Sequence, residues 1–128
     1  MQYYISKTIK DISFDQAIEK TTALLKDEGF GVLTDIDMQA TLKKKLNVDR
    51  KPYRILGACN PGFANKALDA EDKVGLMLPC NIIVQELDGA VEVAAIDPVA
   101  AMSSIGNDGL SEIANEVKIK LKNVIDKL

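Results

Sequence analysis

The sequence predicts a single α+β domain over residues 1–128, in which helices pack on one face of a mostly antiparallel sheet of about five strands. Its 128 residues suit one hydrophobic core, and its composition, 47% hydrophobic and 27% charged, is near the globular average. Strand-like and helix-like segments follow one another in the order β-α-β-α-β-α-β-β-α. The hairpin signal Asp88-Gly89 makes the last two strands antiparallel neighbours.

The first three elements are a strand, a capped helix and a second strand. Residues 2–9 are rich in β-branched and aromatic side chains, as in a strand. Ser13 and Gln16 form a capping-box pattern at the start of a helix that ends at Gly29. Residues 30–36 follow as the second strand.

The middle of the chain repeats this alternation. Asp37 is placed to cap a short helix that ends near Asn47, a residue that tolerates the left-handed conformation. Residues 53–59 read as a third strand, and Asn60-Pro61 starts the next helix because proline fits the first helical position.

The last third contains the hairpin and a long helix. Residues 80–87 and 90–96 flank Asp88-Gly89 as the fourth and fifth strands. The pairs expected on one face are Val84 with Val93 and Ile82 with Ala95. A short helical piece follows over residues 98–105, and an apolar stripe from Leu110 to Leu128 predicts a helix that covers the sheet.

Charge and composition exclude several classes of function. Sixteen basic and nineteen acidic residues give a net charge of −3 without a concentrated basic face, which disfavours nucleic-acid binding. No apolar run is long enough to cross a membrane, and no secretory signal is visible, so a cytoplasmic protein is expected. The absence of histidine removes the commonest general base and metal ligand.

Two cysteines mark the first candidate site. Cys59 ends the third strand and Cys80 begins the fourth, so antiparallel pairing would bring both thiols to one edge of the sheet. Burial as small hydrophobic residues is the commoner outcome for free cysteines. A redox or sulfur-handling role is the alternative, since the helix starting at Pro61 would lower the pKa of Cys59. A metal role is weakened by having only two thiols and no histidine.

Each cysteine is followed by an asparagine, and a proline adjoins each cysteine–asparagine pair. Asn60 and Asn81 are therefore candidates for hydrogen bonding to a small molecule or an anion. The simpler interpretation is that both amides satisfy nearby loop backbone groups.

Acidic residues and methionines offer weaker candidates. Asp35, Asp37 and Asp97 would have to meet in one cleft to act as catalytic carboxylates, and helix capping explains Asp37 more simply. Met77 and Met102 could line a pocket, but isolated methionines usually fill cores.

Several segments resemble a bacterial and archaeal family of unknown function, DUF302. They are Tyr53-Arg54-Ile55-Leu56-Gly57-Ala58-Cys59-Asn60-Pro61, Gly75-Leu76-Met77-Leu78-Pro79-Cys80-Asn81, Phe30-Gly31-Val32-Leu33, Thr41-Leu42, Ala64, Ala67-Leu68 and Asp97-Pro98. The resemblance implies a TATA-binding-protein-like fold with a curved antiparallel sheet, assembled as a homodimer. It carries no established activity, and shared fold does not transfer DNA binding. The family's motif positions map onto Cys59, Asn60, Pro61, Pro79, Cys80 and Asn81.

The best functional hypothesis is a small-molecule or sulfur-species binding module with its site at Cys59, Asn60, Pro61, Cys80 and Asn81. The alternative is a homodimeric structural or interaction protein without a catalytic role. An enzyme that uses the three carboxylates is a third, weaker hypothesis. The sequence indicates no particular cofactor and no metal site.

Overall fold

The computed structural model describes residues 2–128, which form five strands and five α-helices. In chain order these are β1 (Tyr4–Ile9), α1 (Phe14–Asp27), β2 (Gly31–Asp37), α2 (Met38–Leu46), β3 (Tyr53–Cys59), α3 (Pro61–Ala70), β4 (Cys80–Leu87), β5 (Ala90–Ile96), α4 (Pro98–Met102) and α5 (Asp108–Asp126). Short 3₁₀ helices at Asp72–Met77 and Ser103–Ile105 precede β4 and follow α4. The predicted α+β class and element order are confirmed.

All strands form one antiparallel sheet in the order β1-β5-β4-β3-β2. The hairpin register pairs Val84 with Val93 and Ile82 with Ala95, as the Asp88-Gly89 turn predicts. Strand β1 begins at Tyr4 rather than at residue 2. Ahead of it, the Tyr3 carbonyl accepts a hydrogen bond of 2.7 Å from the Asp97 amide.

The helix boundaries follow the local capping chemistry. The Ser13 hydroxyl accepts from the Gln16 amide at 3.0 Å, and the Gln16 side chain accepts from the Ser13 amide at 3.1 Å, completing the capping box. Asp37 caps α2 through the Ala40 amide, and Asn47 ends that helix in the left-handed conformation with φ of 54°.

The main core lies between one face of the sheet and helices α1 and α5. Sheet residues such as Ile82, Val84 and Val93 are fully buried there against Leu25 of α1 and Leu121 of α5. Helices α3 and α4 do not extend this layer directly. They pack against α5 in a second, smaller core whose buried members are Ala67, Val74, Met102, Leu110 and Ala114.

The other sheet face has an open depression of about 430 Å³ at its centre, lined only by strand residues and Tyr3. The register aligns one row across all five strands of this face. That row consists of Ser6, Ala94, Ile83, Ile55 and Ile36. A row with four apolar members is unlike the polar surface that a solvated antiparallel sheet usually presents.

Candidate functional site

The two cysteines lie at the same edge of the sheet, as their positions in sequence predict. Strands β3 and β4 are antiparallel neighbours, and the register pairs Cys80 with Ala58, the residue before Cys59. The thiols are thus diagonal neighbours across the ladder rather than directly opposite. Both are free, with Cys59 half-buried and Cys80 buried.

A small cavity of about 30 Å³ opens at this edge. Both cysteines and Asn60 border it, together with aromatic and aliphatic residues that include Phe30 and Phe63. Because one water needs roughly 10–15 Å³ of such space, the cavity accommodates about two water-sized atoms. No charged side chain among residues 2–128 borders it, so its chemistry comes from sulfur and one amide.

The two thiols differ in their surroundings. Burial raises the pKa of Cys80 to about 11, and the nearby Cys59 contributes in the same direction. Cys80 is therefore a neutral thiol at physiological pH. Cys59 is the more accessible of the two, and it precedes Asn60, the N-cap residue of α3.

Asn60 connects two helices rather than capping its own. Its backbone occupies the N-cap position of α3, yet its side chain makes no hydrogen bond to that helix. Instead its Nδ2 donates to the Glu28 carbonyl at 3.3 Å, at the end of α1. Pro61 occupies the first turn of α3 and starts that helix, but it does not border the cavity.

Asn81 does not border this cavity, but it borders a neighbouring one together with Cys80. It pairs with Gly57 across the ladder, is exposed, and borders the depression on the open sheet face. Gly57 has no room for a side chain, since a Cβ there would lie 2.2 Å from Thr34 Oγ1 and 2.7 Å from Pro79 Cγ. The two similar cysteine-asparagine segments thus have different surroundings.

A second cavity of about 240 Å³ adjoins the first and shares Cys80 and Met102 with it. Met77, in the 3₁₀ helix before β4, also borders this second cavity. Met77 and Met102, which the sequence offered as possible pocket-lining residues, do border this cavity. Sequence spacing did not predict that Met102 would share a cavity with Cys80, because Met102 lies on α4, far along the chain. The short interval from Met77 to Cys80 was the one local signal available.

The three carboxylates do not assemble into a cleft. Asp35 is held by Arg54 Nε at 2.7 Å, and hydrogen bonding to that guanidinium lowers the pKa of Asp35. Asp37 caps α2, while Asp97 caps α4 and pairs with Lys118 at 2.9 Å. Asp35 is on β2 and Asp97 follows β5, three strand spacings away, or about 14 Å.

Comparison with known proteins gives the family. A model described as a domain of unknown function, DUF302, matches residues 5–128, which is nearly the whole chain. The chain belongs to the DUF302 family. The crystal structure of an uncharacterized conserved DUF302 protein from Bacillus stearothermophilus is similar, with a TM-score of 0.92 and 27% sequence identity. The match covers 99% of this chain and 98% of that one. No curated protein matches.

DUF302 membership confirms the resemblance seen in the sequence and gives the fold. It assigns no role to any residue at the sheet edge that carries Cys59 and Cys80, called the thiol edge below. Within residues 2–128, no helix is long and apolar enough to cross a membrane. The same residues contain no cluster of three or more cysteine, aspartate or glutamate side chains suited to a metal ion.

Proposed function

We propose that this DUF302 protein is a binding module for a small molecule or a sulfur species, held at the cavity beside Cys59 and Cys80. One observation carries the proposal: both cysteines of the chain border one cavity whose other walls are apolar apart from Asn60. Binding pockets are typically apolar with a few placed polar groups.

The size of the cavity limits the ligand. About 30 Å³ holds one or two heavy atoms, so a species such as hydrogen sulfide fits inside, while a larger molecule would place only an end group in this solvent-open cavity. The half-buried Cys59 provides the contact with solvent, and the buried Cys80 provides an inner wall. This arrangement supports a small sulfur species as the ligand class.

Thiol accessibility tests the proposal. Native protein is treated with methyl methanethiosulfonate, a small reagent, and with bulky 5,5′-dithiobis(2-nitrobenzoic acid), and labelled sites are identified by mass spectrometry. We expect the small reagent to label Cys59 rapidly and the bulky one slowly. Cys59→Ser should lose the rapid phase and Cys80→Ser should keep it. If both thiols react only after denaturation, the cavity admits no ligand and the proposal fails.

We further propose a cytoplasmic location, because two unbridged cysteines suit a reducing compartment. Fractionation of cells that produce the untagged chain tests this. Recovery of the protein with an oxidised Cys59–Cys80 pair in an extracytoplasmic fraction would contradict it.

A homodimeric interaction protein is the second candidate, favoured by the open sheet face. Ile83, Ile55 and Ile36 form most of an apolar row there. Among residues 2–128, Glu92 is the only acidic side chain that borders the depression, and it accepts a 2.7 Å hydrogen bond from Gln85. Five strands of about seven residues give a sheet face of roughly 550 Å² when the sheet is treated as flat, without the area that protruding side chains add. That area is of the same order as the roughly 800 Å² per partner of a standard interface. A second copy of the chain would cover this face without opposing strong charges.

Sedimentation equilibrium of matched variants tests the dimer. Ile83→Asp places a charge at the centre of the open face, and Ile119→Asp makes the same change at an exposed position of α5, on the helical side. We expect Ile83→Asp to give monomers and Ile119→Asp to remain dimeric. A monomeric wild-type protein, or dissociation by Ile119→Asp alone, would overturn this candidate.

A further inference from the structure

Sulfur is concentrated around two neighbouring cavities. The sequence contains two cysteines and four methionines. Cys59, Cys80 and Met102 border the 30 Å³ cavity, and Met77, Cys80 and Met102 border the 240 Å³ cavity. Cys80 and Met102 thus border both cavities, while Cys59 borders the smaller one alone and Met77 the larger one alone.

We propose that Cys80 and Met102 form a binding site for a soft monovalent metal ion, Cu(I), between these two cavities. The inference rests on the proposed function in one respect, namely that the thiol edge admits a ligand. It goes further by naming a metal ion, in addition to a sulfur species, as a ligand of this edge, and by adding Met102, which belongs to α4 and the second core.

The chemistry of the walls selects a soft ion. Thiolate and thioether ligands favour Cu(I), whereas carboxylate, carbonyl and water ligands favour hard cations. Among residues 2–128, no charged side chain borders either cavity, and the sequence has no histidine. A zinc ion, which takes four nitrogen, sulfur or oxygen ligands, finds no comparable set here.

The cavities also suit an ion by size and access. A bare ion fits inside a space of 30 Å³. The wider cavity is bordered by Leu76 and Met77, whose residues are 85% and 40% exposed, so it lies close to the surface. Met77 is therefore placed as the first sulfur that an entering ion meets.

Binding needs one proton transfer and no redox change. The Cys80 S–H bond breaks, a Cys80 S–Cu bond forms, and the proton goes to solvent or buffer. Copper enters and stays as Cu(I), while the Met102 thioether donates a lone pair without losing a proton.

The test is competition for Cu(I) under anaerobic conditions. The full chain is titrated against the Cu(I) complex of bicinchoninate, and stoichiometry is confirmed by native mass spectrometry. We expect one Cu(I) per chain and no retained Zn(II). Cys80→Ser and Met102→Leu should each weaken binding by more than the roughly tenfold cost of losing an outer-shell group. Met38→Leu is the matched control, because Met38 begins α2 and borders neither cavity, and it should bind as the wild type does.

The outcomes separate this inference from the proposed function. If methyl methanethiosulfonate labels the native thiols but Cu(I) is not retained, the metal site is refuted and the binding-module proposal stands. If neither occurs, both fail. Unchanged affinity in Met102→Leu refutes the assigned ligand pair. Because leucine conserves volume at this buried position, urea unfolding of Met102→Leu should show a folded protein.

Discussion

Cys80 should make the protein sensitive to alkaline pH. Below pH 9 the thiol is protonated in both the folded and the unfolded chain. Between pH 9.0 and about 11 the unfolded chain loses this proton while the folded protein keeps it, because burial raises the folded pKa. The unfolded state then binds fewer protons, so the free energy of unfolding falls as pH rises. A shift of about 2 pKa units corresponds to roughly 2.7 kcal/mol.

Comparison with Cys80→Ala isolates this effect. Urea unfolding of both proteins is measured between pH 7.5 and 11, with a reductant and a chelator present. Lysines and tyrosines titrate in the same range, but they do so in both proteins. We expect the wild type to lose about 2 kcal/mol more than Cys80→Ala over this range. Ile82→Val is the control, because it changes a buried residue on the same strand but leaves the Cys80 thiol in place. Its stability should fall with rising pH in parallel with that of the wild type.

Parallel curves for the wild type and Cys80→Ala would refute the reasoning. They would mean that the Cys80 thiol ionises as easily in the folded protein as in the unfolded chain. The apolar surroundings assigned to Cys80 in the cavity would then be wrong as well, because burial in those surroundings is what raises the pKa of the thiol.

Two further predictions concern stability at neutral pH. Gly57→Ala should lower the free energy of unfolding by about 2 kcal/mol, because its Cβ would lie 2.2 Å from Thr34 Oγ1. Gly31→Ala, whose Cβ would have no atom within 4 Å, should lower it by under about 0.5 kcal/mol in the same urea assay. Equal losses of stability in the two variants would contradict the steric argument. Asp97→Ala should lower the free energy of unfolding by about 2 kcal/mol, since it removes a helix cap and a 2.9 Å ion pair. Asp49→Ala removes an equally short ion pair from a side chain that is 88% exposed, so it should change the melting temperature little. A larger loss of stability in Asp49→Ala than in Asp97→Ala would refute the role of burial.

Features encoded in short stretches of sequence are predictable from it. The capping box at Ser13, the cap at Asp37 and the hairpin at Asp88-Gly89 each depend on residues within a few positions, and all three occur as expected. The edge shared by Cys59 and Cys80 followed once β3 and β4 were taken as antiparallel neighbours.

The surroundings of the candidate site were not predictable in this way. Asn60 and Asn81 follow cysteines in similar segments, but one donates to Glu28 and the other lies on the open sheet face. The direction of each side chain depends on strand alternation and on what packs above it.

The sequence by itself therefore determined the order of strands and α-helices, the helix caps at Ser13 and Asp37, and the hairpin register, because local hydrogen bonding and backbone preference decide them. Only the tertiary structure decided that β1 pairs with β5, that Gly57 lies against Thr34, and that Met102 and Cys80 border the same cavity. Those contacts join residues far apart in the chain, and their formation depends on how helices and strands bury apolar area together.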